Sequence, residues 1–282
     1  MFIEPLICTQ CGRMGRPGEK GFQISTSGGK LTIQCSCGHS FAVEDPRDQQ
    51  ILSHNEFVRL SAASNHVERG TFKIVPGTAI SISFRRSFDF PCRAYFTVQQ
   101  QADVVIKELS LGGSNVGVLS STLVGQFHVG EPVKVGWLVF GLIDVDNLPP
   151  WYLHFYGAMT QLANGFYKPA LLDYAVAFES FVETFIGYLL TKKYDADIAE
   201  YLLKQTWRVN DRCNSLLQLA CGHRMSERYD IYQPWDRAVR NPRNGLAHGD
   251  HMNIGREAAE EAHAAVYQAI RWIETVSGER AI

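Results

Sequence analysis

The C-terminal part of the sequence carries an apolar pattern that is typical of packed helices. Apolar residues there recur at steps of three and four, at Leu171, Leu172, Ala175, Phe178, Val182, Phe185, Ile186, Leu189 and Leu190. This spacing places them along one face of an α-helix, and that face must be buried against other elements. Similar patterns cover residues 198–220 and 256–276, and a further helix begins near Trp235 and is interrupted at Pro242. The sequence therefore predicts an all-α, up-and-down four-helix bundle in residues 151–282.

Residues 71–150 have a different pattern, which is typical of short strands. Runs of β-branched and aromatic residues alternate with turn residues, over 72–75, 79–84, 94–98, 104–106 and 133–145. Short, evenly spaced strands predict a small antiparallel β-sandwich. Two consecutive prolines, Pro149 and Pro150, mark the end of this domain. The polar stretch 46–70 before it has modest helical periodicity and predicts a linker helix that ends at Gly70.

Residues 1–45 are rich in glycine and cysteine and predict a metal module. Two close cysteine pairs flank a predicted hairpin: Cys8 and Cys11, then Cys35 and Cys37. Four thiolates held in two tight turns suit tetrahedral Zn²⁺, so the pattern resembles a zinc ribbon. The second pair has only one intervening residue, which leaves His39 as an alternative ligand to Cys37. Four protein ligands leave no open position, so we expect the zinc to be structural.

Composition excludes several classes of protein. Of the 282 residues, 45% are hydrophobic and 20% are charged, which is typical of a multidomain α+β globular chain. The net charge of −2 argues against a basic protein that coats nucleic acid, although it does not exclude a local basic site. The apolar run 135–143 is shorter than the roughly 20 residues that a bilayer span needs. With no secretory signal pattern at the N-terminus, the sequence predicts a cytoplasmic protein with no membrane partner.

A short polar motif near the C-terminus carries the chemistry. Arg243 and Asn244 precede His248, and the motif lies between Pro242 and Gly249. At about 100° per residue, Arg243 and His248 point about 140° apart on a helix, so one copy makes a poor active site. Two copies that face each other across a two-fold axis would surround one cleft with both pairs of side chains. The motif therefore predicts a homodimer or a higher homo-oligomer.

This motif, in a helical context, resembles the signature of the HEPN superfamily of ribonucleases. The resemblance covers residues 171–276, with the signature at Arg243, Asn244 and His248 and an acidic residue, Glu179, in the first long helix. It implies an all-helical domain in which the acidic residue lies near the arginine. It also implies metal-independent RNA cleavage at a dimer interface, in which the 2′-hydroxyl attacks its own phosphate and leaves a cyclic phosphate.

The side chains suit that reaction. Histidine can accept or donate a proton near neutral pH, so His248 is the candidate acid or base, and the sequence leaves the two roles open. Arg243 offers a planar fork of donors to a phosphorane, and Asn244 could orient the phosphate or the histidine. Arg240 and His251 are candidates for a basic rim that binds RNA phosphates.

The predicted combination of domains is similar to antiphage HEPN effectors, in particular to the ring-activated zinc-finger ribonucleases of bacterial defence. That resemblance implies a toxin whose N-terminal regions sense a trigger, such as a phage protein, or control assembly before RNA is cut. The alternative is a non-catalytic HEPN-like dimerisation module or an RNA-binding adaptor with a structural zinc ribbon.

Overall fold

The computed structural model describes residues 6–7, 14–15, 22–27, 30–38, 40–42, 50–53, 55–98, 104–122 and 131–281. The chain divides into two compact units, residues 1–147 and 148–282. The strands lie in the first unit as small antiparallel sheets, and the second unit is helical. The chain is therefore a mixed α+β protein, as the sequence predicts at this level.

The first strands of the chain form two small sheets. Their bounds are β1 Leu6–Ile7, β2 Met14–Gly15, β3 Phe22–Ser27, β4 Lys30–Cys35 and β5 Ser40–Ala42. Strands β1 and β2 pair with each other, and β3, β4 and β5 form an antiparallel sheet in that order. Ser27 lies opposite Lys30 in the register of β3 and β4, so the predicted hairpin is confirmed.

Two three-stranded antiparallel sheets follow. The strands are β6 His66–Ile74, β7 Ala79–Ser83, β8 Phe90–Val98, β9 Val104–Leu111, β10 Asn115–Thr122 and β11 Val133–Leu142. One sheet has the order β7-β10-β9 and the other β6-β11-β8. Both sheets contribute to one buried apolar cluster that contains Ile74, Val116, Val118 and Val135. Burial of these side chains holds the two sheets together.

Helix α1, Glu56–Ala63, is shorter than the linker helix that the sequence predicts. The Asn55 side chain caps its N-terminus, and strand β6 already begins at His66. Gly70 therefore lies within a strand, opposite Trp137, and does not end the helix. A Cβ at Gly70 would lie 2.7 Å from the indole Nε1 of Trp137, so glycine makes room here for the tryptophan ring. Packing, and not helix termination, explains this glycine.

Glu68 joins β6 to the connection that follows β7. Its side chain is 7% exposed, and its two oxygens accept the backbone N–H groups of Arg85, at 2.8 Å, and Arg86, at 2.7 Å. His66 lies 3.3 Å from the same carboxylate. Burial alone would raise the pKa of Glu68, but the amide donors and His66 together hold the pKa below its ordinary value.

A Glu68→Gln substitution tests the strength of this network. A lowered folded-state pKa means that the carboxylate stabilises the fold above the pKa of an unfolded glutamate, about 4, and that this contribution is lost as pH falls through the folded-state pKa. We expect Glu68→Gln to lower the free energy of unfolding by about 1–3 kcal/mol near pH 7. The difference in this free energy between the wild type and the variant should become smaller below about pH 4. Urea unfolding followed by the intrinsic tryptophan fluorescence of the chain measures this, with the exposed Glu131→Gln as control. Equal stabilities at pH 7 would contradict the prediction.

The second unit consists of helices. The single helices are α2 Pro150–Ala163, α3 Tyr167–Thr191, α4 Ala196–Gln205 and α7 Arg256–Ser277. Helix α5 spans 209–221 as Val209–Asp211, a π-helical turn Arg212–Leu216 and Leu217–Cys221. Helix α6 spans 229–247 as Tyr229–Trp235, a π-helical turn Asp236–Arg240 and Asn241–Ala247. Short 3₁₀ turns cover Val145–Asn147, in the first unit, and Met225–Glu227.

Helix α3 lies at the centre of the second unit. It packs against α2 and α7, and its aromatic side chains contact neighbouring helices. The Phe181 ring meets Trp151 of α2 with centroids 5.3 Å apart, and the Phe178 ring meets Trp235 of α6 at 5.3 Å. These buried contacts fix α6 against α3, which positions the polar motif near the end of α6.

Two helical predictions are wrong, and one helix was not predicted. Pro242 does not interrupt the third predicted helix, because α6 runs through it to Ala247. A proline lacks an N–H and crowds the carbonyl four residues earlier, and the π-helical turn Asp236–Arg240 directly before it changes the local hydrogen-bond pattern. The predicted helix 198–220 is divided into α4 and α5, and α2, which follows the proline pair, was not predicted.

Among the helices that the structure describes, none is long and apolar enough to cross a bilayer.

Candidate functional site

The Arg243 guanidinium, on α6, is held by Glu179 of α3. Its Nη2 lies 3.1 Å from Glu179 Oε1 and donates to Oε2 at 3.2 Å. Its Nη1 donates to Oδ1 of Asn244 at 3.4 Å. Both members of the ion pair are partly exposed, so solvent screens their attraction. The structure therefore brings three predicted site residues together and fixes the direction of the guanidinium.

A small cavity lies beside this ion pair. Its volume is about 30 Å³, which is on the scale of a single water molecule. The residues that line it are Ala175, Phe178, Glu179, Val209, Trp235, Val239, Arg240, Arg243 and Asn244. A nucleotide is far larger than this space, so a ligand of that size would contact Arg243 and Asn244 from the surface.

His248 ends helix α6 and is exposed. Gly249 follows in the left-handed conformation, with φ +88°, and its N–H donates to the carbonyl of Leu246 at 3.2 Å. The N–H of Asp250 donates to the carbonyl of Gly245 at 2.9 Å, which completes a Schellman motif. In the part of the chain that the structure describes, no hydrogen bond joins the His248 side chain to Arg243. The helix end thus presents His248 to solvent, separate from the paired arginine.

The chain after His248 folds back over α6 at Gly245. A Cβ on Gly245 would lie 2.8 Å from Oδ2 of Asp250 and 3.0 Å from Sδ of Met252. Glycine therefore permits this close approach. His251 lies in the same turn and is exposed.

Arg240 is less available than the sequence suggests. It forms an ion pair with Asp236 one turn earlier, and its Cζ lies 5.9 Å from the centre of the Trp235 ring. Its side chain is partly buried at the cavity wall. An RNA phosphate at this position would compete with Asp236 for the guanidinium.

The apolar wall of the cavity was not identified from the sequence. Phe178, Val209, Trp235 and Val239 surround the polar cluster, and Trp235 is only 2% exposed. Phe178 was recognised only as a core residue of the first long helix, and Trp235 only as the start of another. The spacing of these residues in the sequence does not distinguish a cavity wall from the hydrophobic core, because both consist of buried apolar residues.

The second cysteine pair of the predicted metal module lies in a tight turn. The Gly38 N–H donates to the carbonyl of Cys35 at 2.8 Å, and Gly38 has φ +94°. Cys35 is buried and Cys37 is exposed. Cys8, Cys11 and His39 lie outside the described residues. The described residues contain no group of three potential metal ligands. The tight turn is confirmed, and the zinc site stays a prediction.

Three further cysteines occur outside the predicted metal module. Cys92 and Cys213 are buried, and Cys221 is half-buried. Burial raises the pKa of the Cys213 thiol, so this side chain is neutral near pH 7. A buried neutral thiol packs as a small apolar residue, in keeping with the interpretation of these positions as core.

Comparisons with known proteins identify no relative. The chain matches no protein-family model, no curated protein and no solved structure.

Proposed function

We propose that this protein is a metal-independent endoribonuclease of the HEPN type, active as a homodimer or higher homo-oligomer. The observation that carries the proposal is the ion pair between Arg243 and Glu179. It holds a guanidinium beside Asn244 on the helix that ends at an exposed His248. A fixed cation and an exposed proton carrier are groups that promote phosphodiester cleavage, and a second copy of the chain would bring them together.

The reaction transfers a phosphoryl group within the RNA strand. The 2′-oxygen bonds to the neighbouring phosphorus while a base removes its proton, and the 5′-oxygen leaves with a proton from an acid. His248 serves as that base or acid. Arg243 stabilises the negative charge that develops on the phosphorane oxygens, and Asn244 donates to the phosphate or orients the histidine. The products are a 2′,3′-cyclic phosphate and a 5′-hydroxyl.

The separation of the two side chains is the reason for proposing a dimer. Arg243 is directed toward α3, whereas His248 lies at the exposed end of α6. A two-fold axis near this helix end would bring a second copy of both side chains to the same cleft. His251 and Arg240 would then line its rim and bind phosphates.

The remainder of the chain would control when the nuclease acts. In this proposal residues 1–45 are a zinc ribbon held by Cys8, Cys11, Cys35 and Cys37, and residues 71–150 a β-sandwich. Residues 151–282 are the HEPN-like bundle. The zinc ribbon and the β-sandwich recognise a trigger, such as a phage protein, or control assembly. The enzyme then acts as a cytoplasmic toxin in antiphage defence. The tight turn from Cys35 to Gly38, closed by a backbone hydrogen bond, is compatible with the zinc-ribbon part of this proposal.

A second candidate is a non-catalytic dimerisation module or RNA-binding adaptor. The same ion pair favours it, because Glu179 already neutralises Arg243 within one chain. In this reading Arg243 only connects α6 to α3, and His248 only ends the helix.

Expression in bacteria separates the two candidates. We expect induction of the wild-type chain, with or without phage infection, to stall growth and to degrade cellular RNA. His248→Ala and Arg243→Ala should relieve both effects at equal protein levels. The exposed His223→Ala, outside the motif, is the control and should remain toxic. If His248→Ala behaves as the wild type, the nuclease proposal fails.

A further inference from the structure

Trp207 is an exposed tryptophan in the connection between α4 and α5. Its side chain is 71% exposed, whereas Trp151, Trp235 and Trp272 of the same unit are buried. The guanidinium of Arg208 lies over it, with Cζ 5.0 Å from the ring centre. A guanidinium that lies over an indole ring forms with it a cationic, aromatic surface.

The backbone that carries Trp207 is held firmly. Arg212, which is buried, donates from Nε to the carbonyl of Thr206 at 2.6 Å and from Nη2 to that of Leu203 at 3.4 Å. Its Nη1 lies 3.2 Å from Oε2 of Glu183 on α3. The exposed ring is therefore presented from a braced turn, which lowers the entropy lost when a ligand packs on it.

Trp207 lies on the connection that leads to a residue of the candidate site. Val209, two residues later, lines the cavity together with Arg243 and Asn244. Two residues span at most about 7 Å. The backbone of Trp207 therefore adjoins the wall of the candidate site at Val209.

We propose that Trp207 and Arg208 form a stacking platform for an unpaired base of a single-stranded RNA substrate. This inference rests on the proposed ribonuclease function and extends it to the substrate class. Unpaired bases stack on aromatic rings and guanidinium planes, whereas the bases of a duplex are covered by their neighbours. The platform thus selects single-stranded RNA.

Charge favours RNA over a second protein chain as the occupant. No hydrogen bond or ion pair engages the Arg208 guanidinium among the residues that the structure describes. An interface with an apolar protein surface would bury this cation without a counter-ion, which is costly. A nucleotide supplies both a ring for Trp207 and a phosphate for Arg208.

The test uses the full-length protein and a fluorescein-labelled 12-nucleotide single-stranded RNA. Its 2′-O-methyl groups prevent cleavage, so fluorescence anisotropy reports binding alone. We expect Trp207→Ala to weaken binding about 5- to 100-fold and Trp207→Phe to retain most of the affinity. Tyr229→Ala removes another exposed aromatic, 75% exposed, and is the matched control with an expected change under about twofold. Oligonucleotide should also quench the wild-type tryptophan fluorescence and have little effect on Trp207→Phe.

Each outcome decides the inference. If the wild type binds and cleaves RNA but Trp207→Ala binds as tightly, the platform is wrong and the proposed function stands. If Trp207→Ala loses its oligomeric state in sedimentation while its monomers bind RNA normally, the ring belongs to a protein interface and the inference is overturned. If the wild type neither binds this oligonucleotide nor cleaves an unmodified one, the inference and the proposed function fail together.

Discussion

His248→Ala should lower the rate of RNA cleavage by about 10²- to 10⁴-fold, the contribution usual for a general acid or base. His248 is exposed at the end of α6, and its backbone conformation, with φ −87° and ψ 3°, suits alanine equally well. The substitution therefore removes the proton carrier without disturbing the fold. The measurement is the single-turnover cleavage rate of a fluorescent single-stranded RNA at a protein concentration that favours the dimer.

Two comparisons make this result interpretable. His223→Ala removes an exposed histidine of the same unit outside the motif and should cleave at the wild-type rate. The thermal midpoints of both variants should match that of the wild type within about 2 °C, as is usual for surface substitutions. Wild-type cleavage by His248→Ala would show that this histidine is only a helix end.

Arg243→Ala should have the second large effect, a loss of about 10²- to 10³-fold in cleavage rate, because it removes a fixed donor to the developing negative charge. Arg243→Lys should remain defective, since an ammonium lacks the planar fork of a guanidinium. Arg237→Ala is the matched control, because Arg237 is an exposed arginine on the same helix, 3.6 Å from Glu261. It should retain the wild-type rate.

Glu179 separates a positioning role from a purely structural one. If Glu179 orients Arg243, Glu179→Gln should lower kcat by about tenfold or less and leave KM nearly unchanged. The double variant with Arg243→Ala should be no slower than Arg243→Ala alone, because the carboxylate acts only through the guanidinium. Since the pair is partly exposed, its loss should shift stability by only about 0–1 kcal/mol. Normal cleavage by Arg243→Ala would contradict the proposed role of this arginine in the reaction.

The coarse architecture could be predicted because hydrophobic periodicity records it. The three- and four-residue steps after Leu171 produced helix α3, and the alternating runs on either side of Gly28 and Gly29 produced the β3–β4 hairpin. Such patterns work because burial of one face is a local property of the sequence. Strand β10, Asn115–Thr122, was not predicted because Gly117, Ser120 and Ser121 interrupt its apolar residues. Its position depends on pairing with two neighbouring strands.

Glycine and proline were harder to interpret, since each has more than one physical role. Gly70 reads as a helix terminator but makes room for Trp137 across a strand pair. Pro242 reads as a helix breaker, yet a π-helical turn precedes it and α6 continues. A contact with a distant residue determines the role of Gly70, and a local irregularity of the helix determines the role of Pro242. Neither feature produces a periodic pattern in the sequence.

The candidate site was only partly accessible from the sequence. Arg243, Asn244 and His248 stand out because they form a short polar motif between Pro242 and Gly249. The contact between Glu179 and Arg243 joins residues 64 positions apart, so it depends on how α3 and α6 pack. Trp207 and Arg208 were not predicted as site residues, because an aromatic–basic pair between two helices is common on protein surfaces. The feature that distinguishes this pair is the turn held by Arg212, which is seen only in the structure.

The chemistry of the RNA ends tests the central claim most directly. A single-stranded RNA is incubated with wild type and His248→Ala in excess chelator, and the products are identified by mass spectrometry. The proposed mechanism predicts fragments with 2′,3′-cyclic phosphate and 5′-hydroxyl ends from the wild type, and intact RNA from His248→Ala. Fragments with 3′-hydroxyl and 5′-phosphate ends, or activity that vanishes in chelator and returns with Mg²⁺, would contradict it, because both are signs of metal-dependent hydrolysis.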